Sequence, residues 1–304
     1  MARVLALRLI APSALTPAVL EVLSAQPGAT HVVLLAGAGV SPVGDVVLAD
    51  LAREAVTDVV RALQDVGDCA ITLEAVDTSL SRHADAAEAA VPGLGADAVV
   101  WEEVEARTGE EAALSVSFLL LLVLATLIAA VGLLLDSPVL IVGAMVVGPE
   151  FGPVAGLTVA LVERRSALAR RSLTALLVGF PLASLAALLL GVVVRLTAGY
   201  PPAYAGELRP LTAFVSQPDG YAVLVALLAG VAGVVALTSA KSAALVGVAV
   251  SVTTVPAAAD IGIAASAGRW AECLGAGAQL LVNLVALVVA GALTLAVRRP
   301  RARR

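Results

Sequence analysis

Apolar positions along this chain follow two different rules, and the change falls near residue 112. Up to residue 77 the apolar runs are short and separated by polar stretches. Runs at 4–10, 31–36, 46–48 and 69–76 have the length of strands, while helical periodicity covers 16–25 and 51–66. The order strand, helix, strand, strand, helix, strand predicts an α+β domain over 1–77 of the split βαβ, ferredoxin-like kind (βαββαβ). The segment 37–44, glycine at both ends, reads as the turn between the middle strands, and Gly67 as the stop of the second helix. Residues 78–97, rich in Ala, Asp and Gly, read as a linker, and 97–111, acidic around Trp101, as an amphipathic helix completing a 78–112 connection.

Beyond residue 112 the pattern changes to long apolar windows. A helix needs about 20 apolar residues to cross roughly 30 Å of hydrocarbon. Six windows qualify: about 113–134, 138–162, 172–196, 220–238, 242–265 and 275–297. The chain thus reads as an α-helical polytopic membrane protein with a soluble domain in front. Composition agrees, since 60% hydrophobic against 14% charged residues is far from the balance of a soluble domain. Charge is also unevenly placed: residues 1–112 hold six Arg and Lys against seventeen Asp and Glu, leaving thirteen basic and seven acidic residues for the rest.

The basic residues set an orientation, because cytoplasmic loops and tails near helix ends are enriched in them. Arg164, Arg165, Arg170 and Arg171 lie between the second and third windows, and Arg298, Arg299, Arg301, Arg303 and Arg304 follow the sixth. Six spans put both clusters on one side, together with Lys241, whereas the long 197–219 loop is Pro-rich and nearly neutral. The expectation is a multi-pass protein of a bacterial cytoplasmic (inner) membrane, with cytoplasmic N- and C-termini and a basic 298–304 tail. Residues 1–10 do not read as a signal peptide, because Arg8 interrupts the apolar stretch and Pro12 ends it.

The second and fifth windows carry the informative sequence. Residues 137–145 resemble 242–250 once shifted by one residue to match Gly143 to Gly247, and in both a glycine-bearing apolar stretch runs into a proline-bearing interruption. The first interruption is Gly148-Pro149-Glu150-Phe151-Gly152-Pro153; the second is Thr253-Thr254-Val255-Pro256. Each lies centrally in a three-helix unit, and because three is odd the second unit enters from the opposite face. That is the inverted-repeat architecture of secondary transporters, whose paired broken helices bind substrate near the midplane. Proline removes a backbone donor, and hydrocarbon cannot satisfy what it frees. Two readings follow: the breaks line a binding site, or they are kinks repaired by neighbouring helices.

Intramembrane acids sharpen the first reading. Glu150 lies at the centre of its window, where a charge costs about 2.5–3.5 kcal/mol even on lenient scales. Asp260 follows Pro256 by about one helical turn, and its readings are cation or proton handling, or a carboxylate reaching for the interface. Gly148, Gly152 and Gly156 form a small-residue ladder that admits a neighbouring helix, with Glu150 on the opposite side if the helix stays regular. Ser251, Thr253, Thr254, Gln279 and Asn283 are candidates for a polar lining or for simple helix-to-helix hydrogen bonds. The candidate substrate-binding set is Glu150, Gly148, Pro149, Gly152, Pro153, Thr253, Thr254, Pro256, Asp260 and Asn283.

Ser137, Gly143-Ala144-Met145, Pro149, Gly152-Pro153 and Gly156 resemble the signature of the domain of unknown function 389 family, also called the uncharacterised hydrophobic domain proteins. The resemblance covers about 113–297 and implies the membrane fold without implying an activity. Glu150 departs from the apolar residue expected there.

No P-loop, zinc-ligand spacing or nucleophile elbow is found, so an enzyme is not expected, nor are a metal, a cofactor or a nucleic-acid partner. His31 and His83 have no evident partner in the sequence. Cys69 and Cys273 fall in different compartments and read as packing residues. The expected function is a membrane transporter or channel-like protein for an unidentified small solute or ion. In that reading the soluble domain is regulatory or dimerising, and a homodimer is favoured among homo-oligomers. The alternative is a membrane-anchored sensor or scaffold that transports nothing.

Overall fold

The computed structural model of the protein describes residues 4–76, 78–91, 99–206, 210–212, 215, 219–238 and 254–298. The chain divides into two compact units, with the first boundary after Val104.

The N-terminal unit is built on β1 (Val4–Ala11), α1 (Thr16–Ala25), β2 (Ala29–Val40), β3 (Val43–Ala52), α2 (Val56–Val66) and β4 (Ala70–Ala75). The four strands form one antiparallel sheet in the order β2-β3-β1-β4. Alternation in β1 aims Leu5, Leu7, Leu9 and Ala11 at one face. Val56, Val59, Val60 and Leu63 of α2 recur at helical spacing and join Val19 and Leu23 of α1 over that face.

Strand and helix order agree with the sequence pattern, but two boundaries differ. Residues 37–44 are not a loop: β2 runs on to Val40 and β3 begins at Val43, with a Ser41-Pro42 turn whose peptide bond is cis. Gly37 instead sits at a register shift in the ladder at φ +65°, a conformation open to glycine, and its N–H donates to Asp45 at 2.8 Å. Gly44 is tight for another reason, since a Cβ there would collide with the Ala11 carbonyl. The supposed linker holds a helix, α3 (Arg82–Ala90), because Ser81 accepts from the His83 and Ala84 amides as its N-cap. A fourth helix, α4 (Trp101–Glu111), follows where the acidic amphipathic pattern indicated one.

The second unit is all helical. It comprises α5 (Val116–Leu134), α6 (Pro138–Val147), α7 (Phe151–Glu163), α8 (Ser166–Thr197), the short α9 (Pro202–Ala205), α10 (Gly220–Thr238), α11 (Val255–Ser266) and α12 (Trp270–Arg298). Four of these, α5, α8, α10 and α12, are each long and apolar enough to cross a membrane; counting the bent α6–α7 pair as one span makes five. Helices of this kind are those of a membrane-embedded protein. The 242–265 window is described only from residue 254 onward, as the 12-residue α11, so the count of six spans and the 242–250 half of the aligned repeat lie outside the described residues.

Helix α8 is 32 residues long, about 48 Å at 1.5 Å per residue, and exceeds its apolar window. Arg170 and Arg171 are therefore helical residues, and the turn before them shrinks to Arg164 and Arg165, with Arg164 left-handed at φ +56°. Hydropathy sees only the part of such a helix that suits lipid. The core of this unit joins α5, α6, α7, α8, α10, α11 and α12, with α11 packed against α5, α8 and α12.

Candidate functional site

The second window breaks where its prolines and glycines cluster. Gly148 ends α6, Pro149 occupies the gap, and Glu150 stands at the N-cap of α7, so that the two halves meet at 57°. Pro153 is accommodated in the first turn of α7, where its missing donor is not needed. The Glu150 geometry expected for a regular helix does not apply, because the helix is interrupted next to the residue.

Helix α11 begins in a similar way. Thr254 is the N-cap residue of α11, with Pro256 in the first turn, and Thr254 Oγ1 donates to Glu150 Oε1 at 2.8 Å. Both residues are fully buried. Two residues 104 positions apart, each opening a helix, thus meet through a hydrogen bond. Helix N-termini carry partial positive charge, so the carboxylate at the start of α7, bonded to the start of α11, sits where anionic charge is favoured. This offsets part of the desolvation that a buried carboxylate incurs.

The remaining described candidates lie on α7, α11 and α12. Asp260 is fully buried on α11, six residues beyond Thr254 and so about 9 Å further along the helix. Asn283 is fully buried on α12, where the nearly buried Gln279 donates to it at 3.5 Å. Gly152 and Gly156 face protein: a Cβ on Gly152 would come 2.6 Å from the Glu111 carbonyl oxygen, and one on Gly156 2.6 Å from Ser172 Oγ. Thr253 and Ser251 lie outside the described residues.

Sequence reasoning did not single out the polar ties between α8 and α11. Ser184 donates to the Ala258 carbonyl at 2.9 Å, Arg195 to the Ser266 carbonyl at 3.2 Å, and Tyr200 and Ser266 share a 2.9 Å hydroxyl contact. Arg195, in the last turn of α8 beyond its long apolar stretch, was the available signal. A cavity of about 450 Å³ is lined by Ala113, Leu114, Ala167, Arg170, Arg171 and Thr174, none of them on α6, α7 or α11.

Comparison with known proteins fits the geometry. Residues 145–289 match the profile of the family described as Domain of unknown function (DUF389). The stretch holding the starts of α7 and α11 is thus similar to the DUF389 family. Among curated relatives, an uncharacterized protein of Methanocaldococcus jannaschii is 25% identical over 189 residues, which is 62% of this chain and 56% of the relative's length. No solved structure matches. The DUF389 match includes Glu150, Thr254, Asp260 and Asn283, so the buried polar set and the family's region coincide.

Proposed function

We propose that this is a multi-pass membrane transporter or channel-like protein for a small solute or ion, with its binding site at the two broken helices around Glu150 and Thr254. The observation that carries the reading is the 2.8 Å bond between the two N-cap residues, buried among membrane helices. Broken backbone and a carboxylate are costly in hydrocarbon, and a pair of them in contact is the arrangement that substrate sites of repeat-built transporters use. Six spans in two inverted three-helix repeats complete the architecture. The strand order of the N-terminal unit fits a ferredoxin-like module, which in this reading is cytoplasmic and regulates or dimerises the protein. The arginine distribution supports a bacterial inner membrane with both termini in the cytoplasm. No enzymatic step is part of the transport reading.

In this reading the full burial of Glu150 corresponds to an occluded state, and access requires opening the Thr254 bond. The same burial favours a second reading, a membrane-anchored sensor or scaffold whose bundle stays dry. Cysteine placed at 150 or at 254, after Cys69→Ala and Cys273→Ala, separates the two. Transport predicts modification by a water-soluble thiol reagent at a rate that changes with solute or pH, and complete protection under every condition would leave the scaffold.

A further inference from the structure

Within the N-terminal unit three side chains form a connected chain. His31 Nδ1 lies 2.7 Å from Asp50 Oδ2, and His31 Nε2 lies 2.8 Å from Ser81 Oγ. The carboxylate can only accept, so in the neutral imidazole it fixes the proton on Nδ1 and leaves Nε2 as an acceptor. Ser81 must then donate its hydroxyl proton to Nε2. Acid, imidazole and hydroxyl in this order and with these roles are the constellation of a base-activated serine, which is recognised by geometry and not by sequence position.

The backbone is shaped to make the contact. Thr30 pairs with Asp50 across the β2–β3 ladder, so in a regular strand residue 31 would point to the other face of the sheet. The register shifts between Thr30 and Val33, and His31 is left-handed at φ +50°, an uncommon conformation for a residue with a side chain. This irregularity brings His31 round to Asp50; bulges of this kind re-aim side chains beside functional sites. Ser81 also accepts the His83 and Ala84 amides, at 3.2 and 3.4 Å, at the start of α3. These two backbone donors at a helix N-terminus hold Oγ in place and lower the cost of removing its proton. The site is open: the His31 side chain is 38% exposed and Asp50 25%. The ring of His83 stands edge-on beside it, 6.1 Å between centroids.

We propose that Ser81 is a nucleophile activated by His31, with Asp50 as the positioning residue, and that this surface accepts acyl groups from small activated carboxylic esters. The Ser81 Oγ bonds to the ester carbonyl carbon while its proton passes to His31 Nε2. Collapse of the tetrahedral adduct breaks the bond to the leaving alkoxide, which takes that proton, giving acyl-Ser81 and a free alcohol. Water deprotonated by the same nitrogen then attacks the acyl carbon and releases the carboxylic acid, and the proton returns to Ser81 Oγ.

The test uses the full chain in detergent and a fluorophosphonate probe, in which the Oγ–P bond forms as the P–F bond breaks and the hydroxyl proton leaves with fluoride. Peptide mass mapping should place the adduct on Ser81, and His31→Gln and Asp50→Asn should each slow labelling at least tenfold. Ser81→Ala also removes the N-cap of α3, so the near-isosteric Asp50→Asn is the deciding variant. Its ¹⁵N imidazole spectrum should lose the Nδ1–H tautomer in step with the labelling rate. If Ser81 stays unlabelled in the folded wild type, or if His31→Gln labels as fast, the three residues are only a clasp holding α3 to the sheet and the proposal is overturned.

Discussion

The two units differ in the balance of what they bury, although each buries some leucines. In the N-terminal sheet unit large aliphatic side chains dominate the interior: Leu7, Leu9, Leu23, Leu51 and Leu63 are essentially inaccessible, while Leu34 and Leu35 of β2 stand exposed. In the helical unit the interior holds a high proportion of alanines and glycines. Ala125, Ala129, Ala175, Ala183, Ala187, Ala257, Ala258 and Ala259 are buried, while Leu120, Leu177, Leu185, Leu189 and Leu196 stand exposed on the outside. Water drives large apolar surface inward in the first unit. Lipid is as apolar as leucine and exerts no such drive, so the second unit is held by close approach of small residues and by buried polar ties.

Breaking the close approach should do the most damage. Gly262 of α11 faces α8, and a Cβ there would collide with the Ser184 carbonyl oxygen and lie 2.6 Å from the Leu188 amide nitrogen, both backbone atoms that cannot swing away. Gly262→Val is expected to separate α11 from α8 and lose the monodisperse peak in detergent size-exclusion chromatography. A wild-type profile would mean that the helices slide past one another at little cost. Next in size is the loss of a large core residue in the sheet unit. Leu7→Ala should cost about 2–5 kcal/mol, read as a lower denaturant midpoint for that unit's near-ultraviolet signal.

A smaller effect separates the units by pH. Asp45, buried, accepts from the Gly37 amide, from Thr16 Oγ1 at 2.7 Å and from Ser13 Oγ at 3.0 Å. The Gly37 amide bond first, and then the Thr16 hydroxyl, hold its carboxyl below the ordinary 3.8. A depressed carboxyl stabilises the fold fully above its unfolded value, and that stability is lost as pH falls through the lower folded value. Unfolding of the sheet unit followed from about pH 5 downward should therefore slope for wild type and flatten for Asp45→Asn. Equal slopes would show that these bonds do not discriminate between the two protonation states.

The pattern of apolar runs contained most of this. Strand and helix order, Gly67 as a helix stop, and the break at residues 148–150 all follow from local chemistry that neighbours do not alter. What the sequence hid were juxtapositions. Glu150 and Thr254 were both candidates, but their contact depends on how α7 and α11 pack. His31, Asp50 and Ser81 lie on three elements, and a single register shift in β2 turns His31 toward the other two. Neither event has a motif, because each is set by tertiary packing. The segment 37–44 was misread for a related reason: glycine marks a bulge as readily as a turn.

The smallest expected effect is the sharpest check of the contrast between the units. Leu185 lies near the middle of α8 and is 50% exposed on the outer surface of the bundle. Leu185→Ala removes the same atoms as Leu7→Ala. In the bundle those atoms touch lipid tails in both the folded and the unfolded-in-membrane states, so their removal transfers nothing out of water and leaves no cavity. The change in stability in a bilayer should stay within about 0.5 kcal/mol, as for ordinary surface substitutions. A loss approaching that of Leu7→Ala would mean that Leu185 is covered by protein, and a second copy of the chain packed on this face of α8 would be the direct explanation.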